Sequence, residues 1–285
     1  MYYTREYLSS LATKIRMLPE ALDAVLTHFD TFSPVEAEEI ARFLADTSCF
    51  WIKKCQRINE IAQRENGDLL CVLLYMAAAG YTYENYKKMD IPDCVFYDSF
   101  NCLSEKMETA KRFTGRWGCL SVHWPARITS MQTFRIGRLS YAMEFASDAI
   151  LENDKVLVEK GAPYIHIHIP DNDKLCGCEE SVKTAREFFA KFYPEYKNAV
   201  FYTRAWLLDP RLSEILPEDS NIMQFQKVFH IFGHIDGEEA ILSRVFGHVK
   251  ENLDEYKPTS SLARGVLSYI KSGKRLGSGM GYTRF

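Results

Sequence analysis

Two histidines one residue apart, His166 and His168, lie within Tyr164-Ile-His-Ile-His-Ile-Pro170. Imidazole titrates near neutral pH, so either ring can take a proton from an amine or ligate a metal. Alternation with Ile165, Ile167 and Ile169 is that of a strand with Tyr164 and both imidazoles on one face. Pro170 offers no N–H to a ladder and ends the strand. The polar loop Asp171-Asn-Asp-Lys174-Leu175-Cys176-Gly177-Cys178 follows, then a helix expected from Glu179 to about Tyr193. A strand that reaches a helix start through such a loop gathers unpaired N–H groups and the positive end of the helix dipole, which suits a phosphate.

Other residues offer different chemistry. His230 and His234 share a face if 228–235 is extended, and with His166 and His168 they would enclose a metal. No acidic residue stands within either histidine motif. Cys176-Gly-Cys178 at a helix start reads as a nucleophile or redox pair, or as incidental thiols. Tyr202 and Tyr269 are phenols able to act as the acid. Arg138, flanked by apolar residues, is expected on a strand, pairing with a buried carboxylate such as Asp209 or binding an anion. Asp209 before Pro210 and Asp219 or Ser220 before Asn221 are helix caps.

These groups need elements to hold them. Residues 1 to about 115 read as helical. Ser33-Pro-Val-Glu36 is a capping box, and Leu69–Ala79 is an apolar helix expected to stop at Gly80. A polar helix is expected from about Asp98 to Lys111. Beyond residue 115 the texture turns to strands, expected at 133–145, 155–158, 164–169, 199–206, 228–235 and 242–246. Helices fall at 179–192, 221–226 and 260–272, and the glycine-rich tail 273–282 reads as a loop with at most a short strand. Helices first and mixed elements after imply an α+β chain of two parts.

With 285 residues, 47% hydrophobic content and a net charge of -3, the chain can bury one large core or two modest ones. Its Lys and Arg form no basic stripe, which argues against a nucleic-acid partner. No apolar run is long enough to span a bilayer, and the N-terminus lacks an export pattern, so a cytoplasmic location is expected. The eight cysteines contain no C-x-x-C and read as reduced thiols.

The runs Arg135-Ile-Gly-Arg138-Leu, Ile165-His-Ile-His-Ile-Pro170, Trp206-Leu-Leu-Asp-Pro210 with Leu212 and Leu216-Pro217, and Asp219-Ser-Asn-Ile222 with Phe225 and Phe229 occur in this order. Together with Gly115-Arg-Trp-Gly118 they resemble bacterial acyltransferase domain-containing proteins. Those proteins pair a helical N-acyltransferase N-terminal domain with a GNAT-like C-terminal domain. The resemblance implies a helical domain, 1–120, packed on a GNAT-like mixed sheet, 121–285. In that superfamily a CoA thioester lies along a splayed strand and its pyrophosphate sits on the loop that follows. Typical members carry Q/R-x-x-G-x-G/A there, whereas this chain has Lys174-Leu-Cys-Gly177-Cys-Glu, with Glu179 and Glu180 opposing a pyrophosphate.

The expected function is acyl transfer from acyl-CoA or acetyl-CoA to a small-molecule amine, as by an N-acetyltransferase, with His166 or His168 as base. Ile169, Lys174, Leu175, Cys176, Gly177 and Cys178 would hold the co-substrate. No metal, nucleic acid or membrane is expected, and a homodimer stays open. The alternatives are a non-catalytic ligand-binding or interaction module on the same fold and a His-ligated metallohydrolase.

Overall fold

The computed structural model describes residues 1–170 and 174–283; residues 171–173 of the polar loop and 284–285 lie outside the described residues. The chain divides into two compact units, Met1–Ile136 with Ser140–Ala142, and Gly137–Leu139 with Met143–Phe285.

The first unit is helical: α1 (Arg5–Lys14), α2 (Pro19–Leu26), α3 (Pro34–Ala45), α4 (Trp51–Ala62), α5 (Gly67–Lys88), α6 (Asp93–Phe100), α7 (Cys102–Thr114) and α8 (Trp124–Thr129), ending in strand β1 (Thr133–Ile136). Ser33 caps α3 as its spacing predicts, its hydroxyl accepting the Glu36 N–H at 3.2 Å. The central α5 is buried around almost its whole circumference, as fits a helix without a polar face. It does not stop at Gly80. A Cβ there would stand 2.0 Å from the Tyr2 ring, so glycine serves a close approach within the helix and not its end. The expected helix from Asp98 to Lys111 is instead two, α6 and α7, broken at Asn101. Fully buried Lys54 is satisfied by the Leu44 carbonyl at 2.6 Å, the Asp46 carbonyl at 2.8 Å and the Ser130 hydroxyl at 2.6 Å. Arg135 pairs with Glu105 at 2.6 Å, and its N–H donates to the Ser99 hydroxyl at 2.8 Å.

The second unit carries the ends of β2 (Leu139–Phe145), whose Ser140–Ala142 count with the first, a small hairpin of β3 (Ile150–Glu152) and β4 (Lys155–Val158), β5 (Pro163–His168), α9 (Cys178–Phe192), β6 (Phe201–Ala205), α10 (Asn221–Gln226), β7 (Phe229–Asp236), α11 (Glu239–Phe246), α12 (Ser261–Lys271) and β8 (Gly277–Thr283). Its sheet runs in the order β2-β5-β6-β8-β7, with β5 parallel to β6 and both β6 and β7 antiparallel to β8. One face is apolar. Ile165, Ile167 and Phe201 are buried there, and Phe189 of α9 meets Phe201 edge-on at 5.9 Å. Burying each such side chain contributes about 1.5–3 kcal/mol. Leu212, Ile241, Val266 and Leu276 form a second cluster, and Ser220 caps α10, its hydroxyl accepting the Met223 N–H at 3.3 Å.

Three expectations fail here for identifiable reasons. The stretch 133–145 is not one strand, because it turns back at Gly137 and Arg138 between β1 and β2. Residues 242–246 are helical, part of α11, since Ile241, Leu242, Val245 and Phe246 repeat at the period of a helix stripe. The glycine-rich tail is an interior strand. A Cβ on Gly279 would fall 1.9 Å from the Leu208 carbonyl oxygen, so only glycine lets the 3-10 turn Trp206–Leu208 pass over β8. Among the described residues, no helix is long and apolar enough to cross a membrane.

Candidate functional site

The opposite face of the sheet is polar and half-exposed, and β5 carries His166 and His168 onto it. Their rings lie 4.2 Å apart. Glu144 on β2 comes alongside: its Oε2 accepts the Tyr164 hydroxyl at 2.6 Å and lies 3.3 Å from Nδ1 of His166. A carboxylate in that position favours the His166 tautomer protonated on Nδ1, leaving Nε2 with its lone pair. Tyr202 on β6 is in register with His166, with ring centroids 6.2 Å apart. Burial pushes the Tyr202 phenol above its ordinary range, which keeps it protonated and able to donate.

The β5–β6 ladder consists of two pairs, Ile165 with Phe201 and His166 with Tyr202. Beyond them β5 continues to His168, while on its other edge β6 pairs with β8 from Tyr202 to Ala205. Two parallel strands thus part beside the histidines, past the pair His166 and Tyr202. Past this opening, α9 begins at Gly177, whose φ of 76° is left-handed and beside which a side chain would meet only open space. No side chain caps α9 among the described residues. Of the two acidic residues in its first turn, Glu179 bends back to Lys183 at 2.7 Å, which offsets its charge.

Arg138 is not on a strand and does not pair with Asp209. From the turn before β2 its Nε donates to the Lys174 carbonyl at 2.6 Å and its Nη2 to the Pro170 carbonyl at 2.7 Å, tying both ends of the loop. Leu175, Cys176, Gly177 and Cys178 follow the Lys174 contact, and Ile169 precedes the Pro170 contact. Cys178 is buried, and its thiol donates to the Leu175 carbonyl at 3.5 Å. Desolvation pushes it up to about 11, the reverse of an activated nucleophile.

Asp209 takes Arg211 as its partner, with Nε and Nη2 both at 2.8 Å, and accepts the Gly277 N–H at 2.6 Å. It also caps the turn at Arg211 as predicted. Tyr269 is on α12 with its hydroxyl on Glu214, away from the histidine face. The four histidines do not converge. β5 and β7 are three strand spacings apart, about 14 Å. A bulge between Ile231 and Gly233 also turns His234 to the face opposite His230.

What the motif lacked in sequence, the fold supplies. Glu144, His166 and His168 present ligating atoms all within 4.8 Å of one another, and His230 meets Glu152 of β3 at 2.6 Å. A lone acid inside the mostly apolar run Leu139–Phe145 was the available signal for Glu144.

Residues 6–131 match the family model of an N-acyltransferase N-terminal domain, and residues 133–283 that of a GNAT-like C-terminal domain. No curated protein matches the chain in sequence. The fold is similar to that of an acyltransferase crystallised with decanoyl-CoA, at 21% identity and a TM-score of 0.76 over 98% of this chain and 88% of that one. A complex of an acyltransferase with CoA and 10C-teicoplanin gives 21% identity and a TM-score of 0.77 over 99% and 89% of the two chains. A mutant acyltransferase bound to octanoyl-CoA gives 20% and 0.75 over 98% and 87%.

Proposed function

The chain belongs to the family of the GNAT-like C-terminal domain, and from that premise we propose that it is an acyl-CoA-dependent N-acyltransferase, acetyl-CoA being among the donors to test. The observation that carries this reading is the parting of β5 from β6 beside two imidazoles, next to an uncapped helix start. The edge of β5 past its pairing with β6 suits a pantetheine arm. The amide hydrogens around Gly177 and the α9 dipole suit its pyrophosphate. The similar structures with bound acyl-CoA support the same donor.

In this reading the amine arrives protonated and His166 or His168 removes one proton. The freed lone pair attacks the thioester carbonyl carbon, forming C–N; collapse breaks C–S, and the thiolate collects a proton for which Tyr202 is the nearby donor. The second nitrogen proton leaves to the base or to water, giving an amide and free CoA thiol.

The test is calorimetric titration with acetyl-, octanoyl- and decanoyl-CoA, alongside Gly177→Glu. Binding of at least one thioester, weakened tenfold or more by the variant, is expected; no heat with any of them removes the proposal. Where turnover is seen, His166→Ala or His168→Ala should cost about a hundredfold or more in kcat. If neither does, the imidazoles are not the base.

A further inference from the structure

Tyr164, His166 and His168 stand half-buried on one face of β5, while Ile165 and Ile167 between them are sealed on the other. Residues two apart on a strand stand about 6.6–6.8 Å from each other, and side chains that rise squarely from it keep that spacing. The two imidazoles do not. Their ring centroids are 4.2 Å apart and their planes are inclined by 39°, so the rings lean together. Glu144 reaches the same point from the neighbouring strand β2. One ligating atom from each of the three residues lies within 4.8 Å of the other two.

These distances suit a small divalent ion. Bonds of about 2.0–2.1 Å to a tetrahedral zinc set neighbouring donor atoms about 3.3 Å apart. Glu144 Oε2 and His166 Nδ1 are separated by 3.3 Å, long for a charge-assisted hydrogen bond but equal to the edge of such a tetrahedron. Two imidazoles and a carboxylate are a donor set of zinc enzymes, with one position left to solvent. The Tyr164 hydroxyl donates to the same Oε2 at 2.6 Å and fixes the carboxylate, as outer partners of metal ligands do. His166 and Glu144 keep 24% and 18% of their side chains exposed, so an ion can enter from solvent. No acid stands within the histidine motif itself, and residue order alone therefore gives no reason to expect a metal; β2 supplies the acid from 22 residues away.

We propose that Glu144, His166 and His168 form a zinc site, and that zinc bound there switches the transferase centre off. With the ion on Nδ1, the one proton of a neutral His166 ring goes to Nε2, and no lone pair is left to accept a proton from the amine. His168 is committed to the ion in the same way. The site stands on its geometry alone; only the inhibition rests on the transferase reading.

The test titrates the full chain with zinc chloride by calorimetry, after iodoacetamide has blocked the exposed thiols of Cys94 and Cys176. One ion per chain with a Kd of about 1 μM or tighter is expected, while Mg²⁺, which takes oxygen donors, should give no heat. Glu144→Gln and His168→Ala should each weaken zinc about a hundredfold or more. Tyr164→Phe, which leaves all three ligands in place, should weaken it about tenfold. Co²⁺ in place of zinc should give the visible bands of a four-coordinate nitrogen and oxygen site, without the near-ultraviolet band of a thiolate complex. Zinc affinity unchanged in both ligand variants, a thiolate band with Co²⁺, or no binding tighter than about 100 μM overturns the site. Where a thioester is turned over, zinc at about ten times its Kd should remove about nine-tenths of the rate and EDTA should restore it. The residual turnover of Glu144→Gln should persist at that concentration. Zinc held at these residues with turnover undiminished removes the inhibition alone, and zinc held there by a chain that binds no acyl-CoA removes the transferase reading alone.

Discussion

Asp209 and Glu144 are carboxylates of the same unit held by hydrogen bonds, yet one is sealed and the other is not. Asp209 has no exposed side-chain surface, and a bidentate arginine, a turn N–H and the Gly277 N–H fill its acceptor positions. Glu144 keeps 18% of its side chain exposed and faces His166, itself 24% exposed. A buried, saturated carboxylate has nothing left to offer a ligand and serves to pin segments together. A half-open one beside an imidazole retains capacity for chemistry.

The sharpest way to break this contrast is to remove each carboxylate in turn. Asp209→Ala leaves the β8 amide without its acceptor and Arg211 with Asp236 as its carboxylate partner, and should cost about 2–3 kcal/mol of unfolding free energy by urea titration. A loss below 1 kcal/mol would show that Asp209 does not pin β8. Glu144→Gln keeps the shape and loses the charge; turnover should fall about tenfold, roughly 1.4 kcal/mol of barrier, with an unchanged urea midpoint. Destabilisation of the size expected for Asp209→Ala would erase the distinction. The smallest effect concerns thiols. Exposed Cys94 and Cys176 should react with iodoacetamide at pH 7.5, while Cys178 stays unmodified until the pH approaches about 11, because burial raises its pKa and withholds the thiolate below that. Mass mapping that finds Cys178 labelled at pH 7.5 would mean that the α9 start opens in solution.

Much of this arrangement was legible in residue order where the relevant period is short. Alternation around His166 and His168 sets their shared face, and the Ser33, Asp209 and Ser220 caps follow from spacing of two or three residues. What stayed hidden depends on distant partners. Glu144 reaches His166 across 22 residues, and Glu152 reaches Tyr282 across 130. The β8 tail looks like a loop because strand propensity describes side-chain packing, while its glycines answer to a backbone crossing above them. Arg138 was noticed as a charge among apolar neighbours, but its carbonyl partners at Pro170 and Lys174 carry no charge to advertise them.

The β7 bulge has an evolutionary corollary. Ile231 and Gly233 each keep their own β8 partner, so Phe232 is an insertion that the ladder already absorbs. Losing that single codon would delete one ring from the open face and leave every neighbouring strand pair in place. A shift in length at one site would therefore change the aromatic lining of this face without altering any other residue.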